Sequence, residues 1–291
     1  MQRARGRTAD NDQRQPPVAW SSYGRIGQLE VRLASAAAEI AAAQRLRYEV
    51  FYEEMRSEPC QAAGSLRLDR DRYDEICDHL IVTTLDLGGD EARIVGTYRL
   101  LRAEVAERLH LPLYTSGEFD LGPLSRGPAA GLRILELGRS CVAATHRDRR
   151  TLEALWHGIW TYVREHRIDV MLGCASFPGA DPDLHALPLT YLARRHLAPP
   201  GWRCKALPEL HVPLDRLPGA PIDERRAIRG MPPLIKGYLR LGAFVGDGAV
   251  IDRAFGTTDV LIVLPVENID PRYFEHFGAP DELKSRISAD V

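Results

Sequence analysis

Nothing in this chain is both long and apolar. Its longest apolar run, VLIVLPV at 260–266, is strand-sized and far short of the ~20 residues that a membrane-spanning helix needs. Net charge is nearly absent as well. The formal value is -2 over 291 residues, so nucleic acid is not held by bulk attraction and any partner must be read by local patches. Cysteine is scarce: the five residues Cys60, Cys77, Cys141, Cys174 and Cys204 are odd in number and form no C-x-x-C pair. That predicts free thiols in a reducing cytoplasm rather than a disulfide framework or a zinc site. The nine histidines show neither H-x-x-x-H nor H-E-x-x-H spacing, so no protein-bound catalytic metal is expected. The opening MQRARGRTADNDQRQPP lacks the apolar core of a secretory signal. Its polarity predicts a disordered tail over residues 1–17. There is no internal repeat.

What is present suffices for a substantial core, with 45% hydrophobic residues. QLEVRLA (28–34) alternates like a strand, and SAAAEIAAAQRLRYEVFYEEM (35–55) follows as a helix with Ser35 as a natural N-cap. HLIVTTLDL (79–87) and RIVGTYRLL (93–101) read as strands parted by the turn GGDEA. TLEALWHGIWTYVREH (151–166) is helical, with Leu152, Leu155, Trp156, Ile159 and Val163 forming one buried face. A strand at 168–177, helices at 188–197 and 232–242 and a closing strand at 259–266 complete an α/β pattern with a mixed sheet. A single domain over 28–270 is expected, followed by a tail at 271–291.

One strand stands apart. ILELGRSCV (134–142) sets Glu136 and Arg139 inside an apolar run, where an unpaired charge costs several kcal/mol. Side chains alternate along a strand, so the two should face opposite ways. They share a cleft only if a β-bulge intervenes, and Gly138 between them is the residue that permits one. A bulge also frees a backbone N–H as an oxyanion donor. Taken alone, the two charges fit a satisfied core ion pair better than a lined site.

LELGRSCV, GTYRLL (96–101) and LRYEVFYEE (46–54) resemble strands and a helix of acyl-homoserine-lactone synthases, which have the fold of the GCN5-related N-acetyltransferases. Further motifs are similar to the hemolysin-like ornithine N-acyltransferases of ornithine-lipid synthesis: CDHLIV, LWHGIWTYV, GCASFPG and PPLIKGYLRLGAFVGDGAVIDRAFGTTDVLIVL. The resemblance covers about 28–270, with a block specific to the second family at about 200–270. It implies a GCN5-related, mostly antiparallel mixed sheet flanked by helices. It also implies transfer of a 3-hydroxyacyl chain from acyl carrier protein to the α-amine of L-ornithine, giving a lyso-ornithine lipid. No bound cofactor is implied, the phosphopantetheine thioester of the carrier protein being a co-substrate. The implied location is cytoplasmic, with peripheral membrane contact through the lipid product. A homoserine-lactone synthase, an N-acyltransferase for another amino acid and a non-catalytic acyl-carrier-binding module stay open as alternatives.

Under this resemblance Glu136 is the candidate base for the ammonium, with Gly138 and Arg139 completing the catalytic stretch. Arg99 is a candidate for the ornithine carboxylate, the acyl 3-hydroxyl or Glu136 itself. Asp74 and Asp78 are candidates for the two ammonium groups, or else turn and capping residues. Arg47 and Phe51, four apart on the first helix, belong to the same substrate set or pair structurally. At the helix entrance HRDRRT (146–151) the phosphate-cradling glycines of acetyl-coenzyme A users are missing. Arg147, Arg149 and Arg150 stand there against the helix dipole, where an acidic carrier protein or its phosphate would relieve them. Cys141 and Cys174 lack a neighbouring histidine and are set aside as acyl-enzyme nucleophiles. Tyr191 and Tyr238 read as core.

Overall fold

A computed structural model describes residues 22–55, 57, 66–85, 92–270 and 273. The tails expected at 1–17 and, Tyr273 apart, at 271–291 lie outside that set, as do Cys60 and the GGDEA turn before Ala92. Strands β1 (Gly24–Ile26) and β2 (Leu29–Leu33) lead into helix α1 (Ala37–Tyr48). After β3 (Asp78–Leu85) and β4 (Ala92–Arg102) come α2 (Ala103–Arg108), β5 (Phe119–Asp120), α3 (Gly122–Arg126) and β6 (Ile134–Val142). Helix α4 (Arg149–Glu165), β7 (Val170–Pro178), α5 (Ala186–Arg195) and β8 (Lys205–Ala206) follow. Helices α6 (Glu224–Arg229) and α7 (Pro233–Arg240) precede the hairpin of β9 (Phe244–Asp252) and β10 (Thr257–Pro265). The strands form one sheet in the order β1-β2-β3-β4-β6-β7-β10-β9-β8-β5. Pairing is antiparallel except at β6/β7 and β8/β9, the mixed, mostly antiparallel sheet that the motifs imply.

Period-two alternation distributes the core over both faces of the sheet. Met171 and Ala175 of β7 join Val260 and Ile262 of β10 in the larger core. Val170, Leu172, Leu261 and Val263 turn the other way, onto Phe119 and Leu124. Helix α4 packs on β2 and β3, and Gly158 is what lets it come so close: a Cβ there would sit 2.5 Å from Val31 Cγ2. The buried face is rotated from the expected one. Thr151, Ala154, Leu155, Ile159 and Tyr162 are buried, whereas Leu152 is exposed and Trp156 half-buried.

Two further expectations change. Ala36, not Ser35, is the N-cap of α1, and having no side-chain acceptor it leaves the task to Glu39. That carboxylate accepts the backbone N–H groups of Ser35 (2.7 Å) and Ala36 (3.2 Å). The last part of the expected helix is a π-helical turn, Glu49–Glu54. Strand β9 was not anticipated, because glycines and aspartates interrupt the apolar alternation of FVGDGAVID.

β6 and β7 are nine residues each but pair only at Ile134↔Val170, Leu135↔Met171 and Glu136↔Leu172. Beyond Glu136 they diverge. Gly173 keeps the two backbones in contact up to Leu137, just before they part, since a Cβ there would lie 2.2 Å from the Leu137 carbonyl oxygen. On the other side of β6, Thr97 pairs with Cys141 and Arg99 with Gly138, so Arg139 and Ser140 together oppose Tyr98. This is the expected bulge, with a correction. The left-handed residue is Arg139 (φ 50°), and Gly138 does not adopt positive φ. Such a conformation costs a non-glycine residue about 1 kcal/mol, which the ion pairs described next can offset.

Candidate active site

The wedge between the diverging strands opens into a cavity of about 250 Å³. One wall is β6 from Glu136 to Ser140, and the facing wall is Cys174–Ser176 of β7. Tyr114, Thr115 and Glu118 close one side, Phe51 and Met55 of the π-helical turn another. The end of the β9–β10 hairpin supplies Asp252, Phe255, Thr257 and Asp259. The β6–β7 ladder ends at Glu136, and the following stretch Gly138–Ser140 borders the cavity.

Glu136 and Arg139 both line this space, yet they are not each other's partner. Glu136 is buried, and its two oxygens accept the backbone N–H groups of Tyr114 (2.9 Å) and Thr115 (2.7 Å). It therefore fixes the turn that closes the cavity. Arg139 reaches Asp69 through Nε (3.2 Å) and Asp71 through Nη2 (3.2 Å). Its guanidinium lies 4.8 Å from the ring centres of both Tyr114 and Phe255, a cation held between two aromatic faces.

Arg139 belongs to a lattice. Arg47 bonds Asp69 (2.8 Å) and Asp74 (2.6 Å), while Arg99 bonds Asp71 (2.6 Å) and lies 3.5 Å from Asp74. Three guanidinium groups thus meet three carboxylates with no net charge. Burial opposes the ionisation of Asp74, but Arg47, the Asp71 backbone N–H and Arg99 outweigh it and hold this carboxyl below its ordinary value of 3.8. Asp74 is thereby spent on arginines and does not line the cavity. Asp78 accepts the Tyr162 hydroxyl (2.6 Å) and is absent from the lining too. The structure does not bring the expected ammonium partners to the cavity. Arg47 is likewise walled off from it, whereas Arg99 and Phe51 line it. Asp69 and Asp71 were missed, although the D-x-D-x-x-D spacing of DRDRYD was there to suggest a carboxylate cluster.

The acidic groups that do face the cavity come from elsewhere. Glu118, Asp252 and Asp259 each present an oxygen, all within 4.8 Å of one another. Among the described residues this is also the group whose donors could hold a metal ion. Burial and the Asp259 charge push the Glu118 carboxyl up to about 7, and burial pushes Asp259 up to about 6 against the Thr257 and Ser176 hydroxyls. No motif linked these three positions.

The arginines at the start of α4 are not equivalent. Arg147 precedes the N-cap Asp148, and its guanidinium is paired with Glu54 and donates to the Val142 carbonyl (3.1 Å). Arg149 pairs with Glu153 one turn on (2.6 Å). Arg150 is exposed, with no ion-pair partner among the described residues. Burial holds the Cys141 thiol up to about 12, and burial with the Glu118 charge raises that of Cys174, which lines the cavity. Tyr191 and Tyr238 are buried and are not among the residues that line the cavity.

Residues 46–157 match the acetyltransferase (GNAT) domain. The chain is 52% identical over 258 residues to the L-ornithine N(alpha)-acyltransferase of Rhizobium meliloti, covering 88% of this chain and 86% of that protein. It is also 52% identical over 259 residues to the enzyme of the same name from Brucella abortus, covering 88% and 91%. Among solved structures it is similar to an N-acyl amino acid synthase from uncultured soil microbes at 12% identity and a TM-score of 0.46, covering 84% of this chain and 93% of that one.

Proposed function

The chain belongs to the L-ornithine N(alpha)-acyltransferase family, and we propose that it transfers a 3-hydroxyacyl group from the thioester of acyl carrier protein to the α-amine of L-ornithine, releasing a lyso-ornithine lipid. The observation that carries this reading is the strand divergence. It sets a strand edge without a ladder partner on one side of the cavity and titratable carboxylates on the other. Acyl transfer needs both, since hydrogen-bond donors stabilise the tetrahedral oxyanion and a base must free the amine.

An α-ammonium has a pKa near ~8 and is mostly protonated at neutral pH. We assign the proton acceptor to Glu118. Its pKa of about 7 suits proton transfer at neutral pH, whereas both oxygens of Glu136 are committed to Tyr114 and Thr115. The neutral amine attacks the thioester carbonyl carbon, a C–N bond forms, and the C–S bond breaks as the tetrahedral intermediate collapses. Glu118 returns the proton it accepted to the departing thiolate, and the second ammonium proton leaves to solvent. Gly138 exposes bare backbone to the acyl group, since nothing lies within 4 Å of where its Cβ would be. Exposed Arg150, with Arg147 and Arg149 beside it, is the assigned contact for the acidic carrier protein.

The test uses purified protein, 3-hydroxyacyl carrier protein and L-ornithine. Equimolar release of free thiol and N-acyl-ornithine, identified by mass spectrometry, is expected. Thiol release with another amino acid but not with ornithine would overturn the assignment.

A further inference from the structure

The proposed reaction leaves one charge to be housed. Ornithine carries two ammonium groups; the α-amine must become neutral, whereas the side-chain group stays protonated, with a pKa near the ~10.4 of lysine. Taking an ammonium into a buried cavity is costly unless acceptors meet it, and each of its three N–H donors needs one.

One end of the cavity provides them. Asp252 and Thr257 are cross-strand partners at the β9–β10 hairpin, and Asp259, two residues along β10, shares the Thr257 face of the strand. Asp252 Oδ1 is occupied by the backbone N–H groups of Ala254 (2.8 Å) and Phe255 (3.0 Å), which leaves its other oxygen. Asp259 is only 6% exposed and Thr257 only 2%. The Thr257 and Ser176 hydroxyls lie close enough to the Asp259 carboxyl to lower its pKa, yet Asp259 Oδ1 and Thr257 Oγ1 make no hydrogen bond of ordinary geometry among the described residues. Buried polar atoms are nearly always bonded. These two polar atoms, beside the further carboxylates Glu118 and Asp252 and all lining one cavity, mark a place for a donor that arrives with the substrate. Arg139, the cation that bears on these carboxylates, is already engaged by Asp69 and Asp71.

We propose that Asp252 and Asp259, with the Thr257 hydroxyl, hold the side-chain ammonium of the acceptor, beside the Glu118 that serves the α-amine, and so select a diamino acid over a neutral one. This rests on the ornithine reading. An ammonium is satisfied by three or four acceptors of this kind, whereas a hard divalent cation seeks six or more oxygens. Cation binding also explains why the cluster tolerates mutual repulsion: the repulsion ends when the substrate binds.

The test compares L-ornithine with L-norvaline, the same carbon skeleton without the terminal amine. Wild-type protein should favour ornithine in kcat/KM by ~10²-fold or more. Asp259→Asn and Asp252→Asn should each lower kcat/KM for ornithine ~10- to 100-fold more than for norvaline, because both substrates feel the altered Glu118 but only ornithine loses a partner, so that the preference collapses. Calorimetry of ornithine binding at pH 6.5, in buffers of different ionisation enthalpy, should detect proton release by the wild type and much less by Asp259→Asn. A wild type that acylates neither amino acid overturns the ornithine reading and the pocket with it. Ornithine acylation whose preference over norvaline survives Asp259→Asn overturns the pocket alone. Loss of activity in EDTA that Mg²⁺ or Mn²⁺ restores gives the cluster to a metal and also overturns the proposal.

Discussion

Replacing Glu118 by glutamine removes a charge from the cavity and keeps the size and shape of the side chain. In the folded protein this carboxyl titrates at about 7, against 4.5 when freely solvated, first because it is buried and next because Asp259 is charged. The folded state therefore holds the proton more tightly than the unfolded state does. The stability linked to that proton is complete below about pH 4.5 and is lost as the pH rises through about 7. At ~1.36 kcal/mol for each pH unit of displacement, the ionised Glu118 costs the fold about 3 kcal/mol at pH 8. Glutamine escapes this cost and gives up only the weak thiol hydrogen bond from Cys174 (3.2 Å). Glu118→Gln should therefore melt roughly 6 °C above wild type at pH 8, at ~2 °C per kcal/mol for a large domain, and close to wild type at pH 4.5. Its kcat should fall by ~10²- to 10⁴-fold, and the limb of kcat/KM that rises through pH 7 should vanish. Thermal melting at the two pH values, with a pH–rate profile, measures all three. A variant that melts below wild type at pH 8, or a stability difference that ignores pH, refutes the reasoning. Glu118 would then be an anion held by structural partners.

Three further outcomes are expected. Glu136→Gln sets an amide NH₂ against the backbone N–H of Tyr114 or Thr115, so denaturant unfolding should show a loss of about 2 kcal/mol along with reduced activity. Lost activity at unchanged stability would return the proton-acceptor role to Glu136. Asp74→Asn should cost about 3–5 kcal/mol, because it leaves Arg47 and Arg99 buried with a deficit of negative charge; a raised KM for ornithine without destabilisation would move Asp74 back to the substrate. Changing Arg147, Arg149 and Arg150 together to Gln should raise KM for acyl carrier protein and flatten its salt dependence while leaving KM for ornithine alone. The effect should be nearer that of one charge than three, since Glu54 and Glu153 already neutralise two of them, and an unchanged salt slope would place the dock elsewhere.

Local pattern carried much of this protein's architecture. Strand β6 begins and ends where its apolar run does, and α4 follows a 3.6-residue rhythm that survives even though Leu152 turns outward. These are properties of neighbours in sequence, and burial of one face is enough to select them. The charges inside β6 posed the choice between a core ion pair and a lined site, and the resemblance favoured the site and with it a bulge, because apolar surroundings make an unexplained charge expensive. What local pattern did not contain was the identity of each charge's partner. Arg139 takes its carboxylates from about seventy residues away, at Asp69 and Asp71, and Glu136 is held by two backbone N–H groups that carry no sequence signature. Glu118, Asp252 and Asp259 converge because a turn before β5 and the β9–β10 hairpin meet at one end of the sheet. No spacing records that meeting. Electrostatic partners depend on distance in space, and where β6 and β7 part company the sheet, rather than the order of residues, decides which groups share the opening.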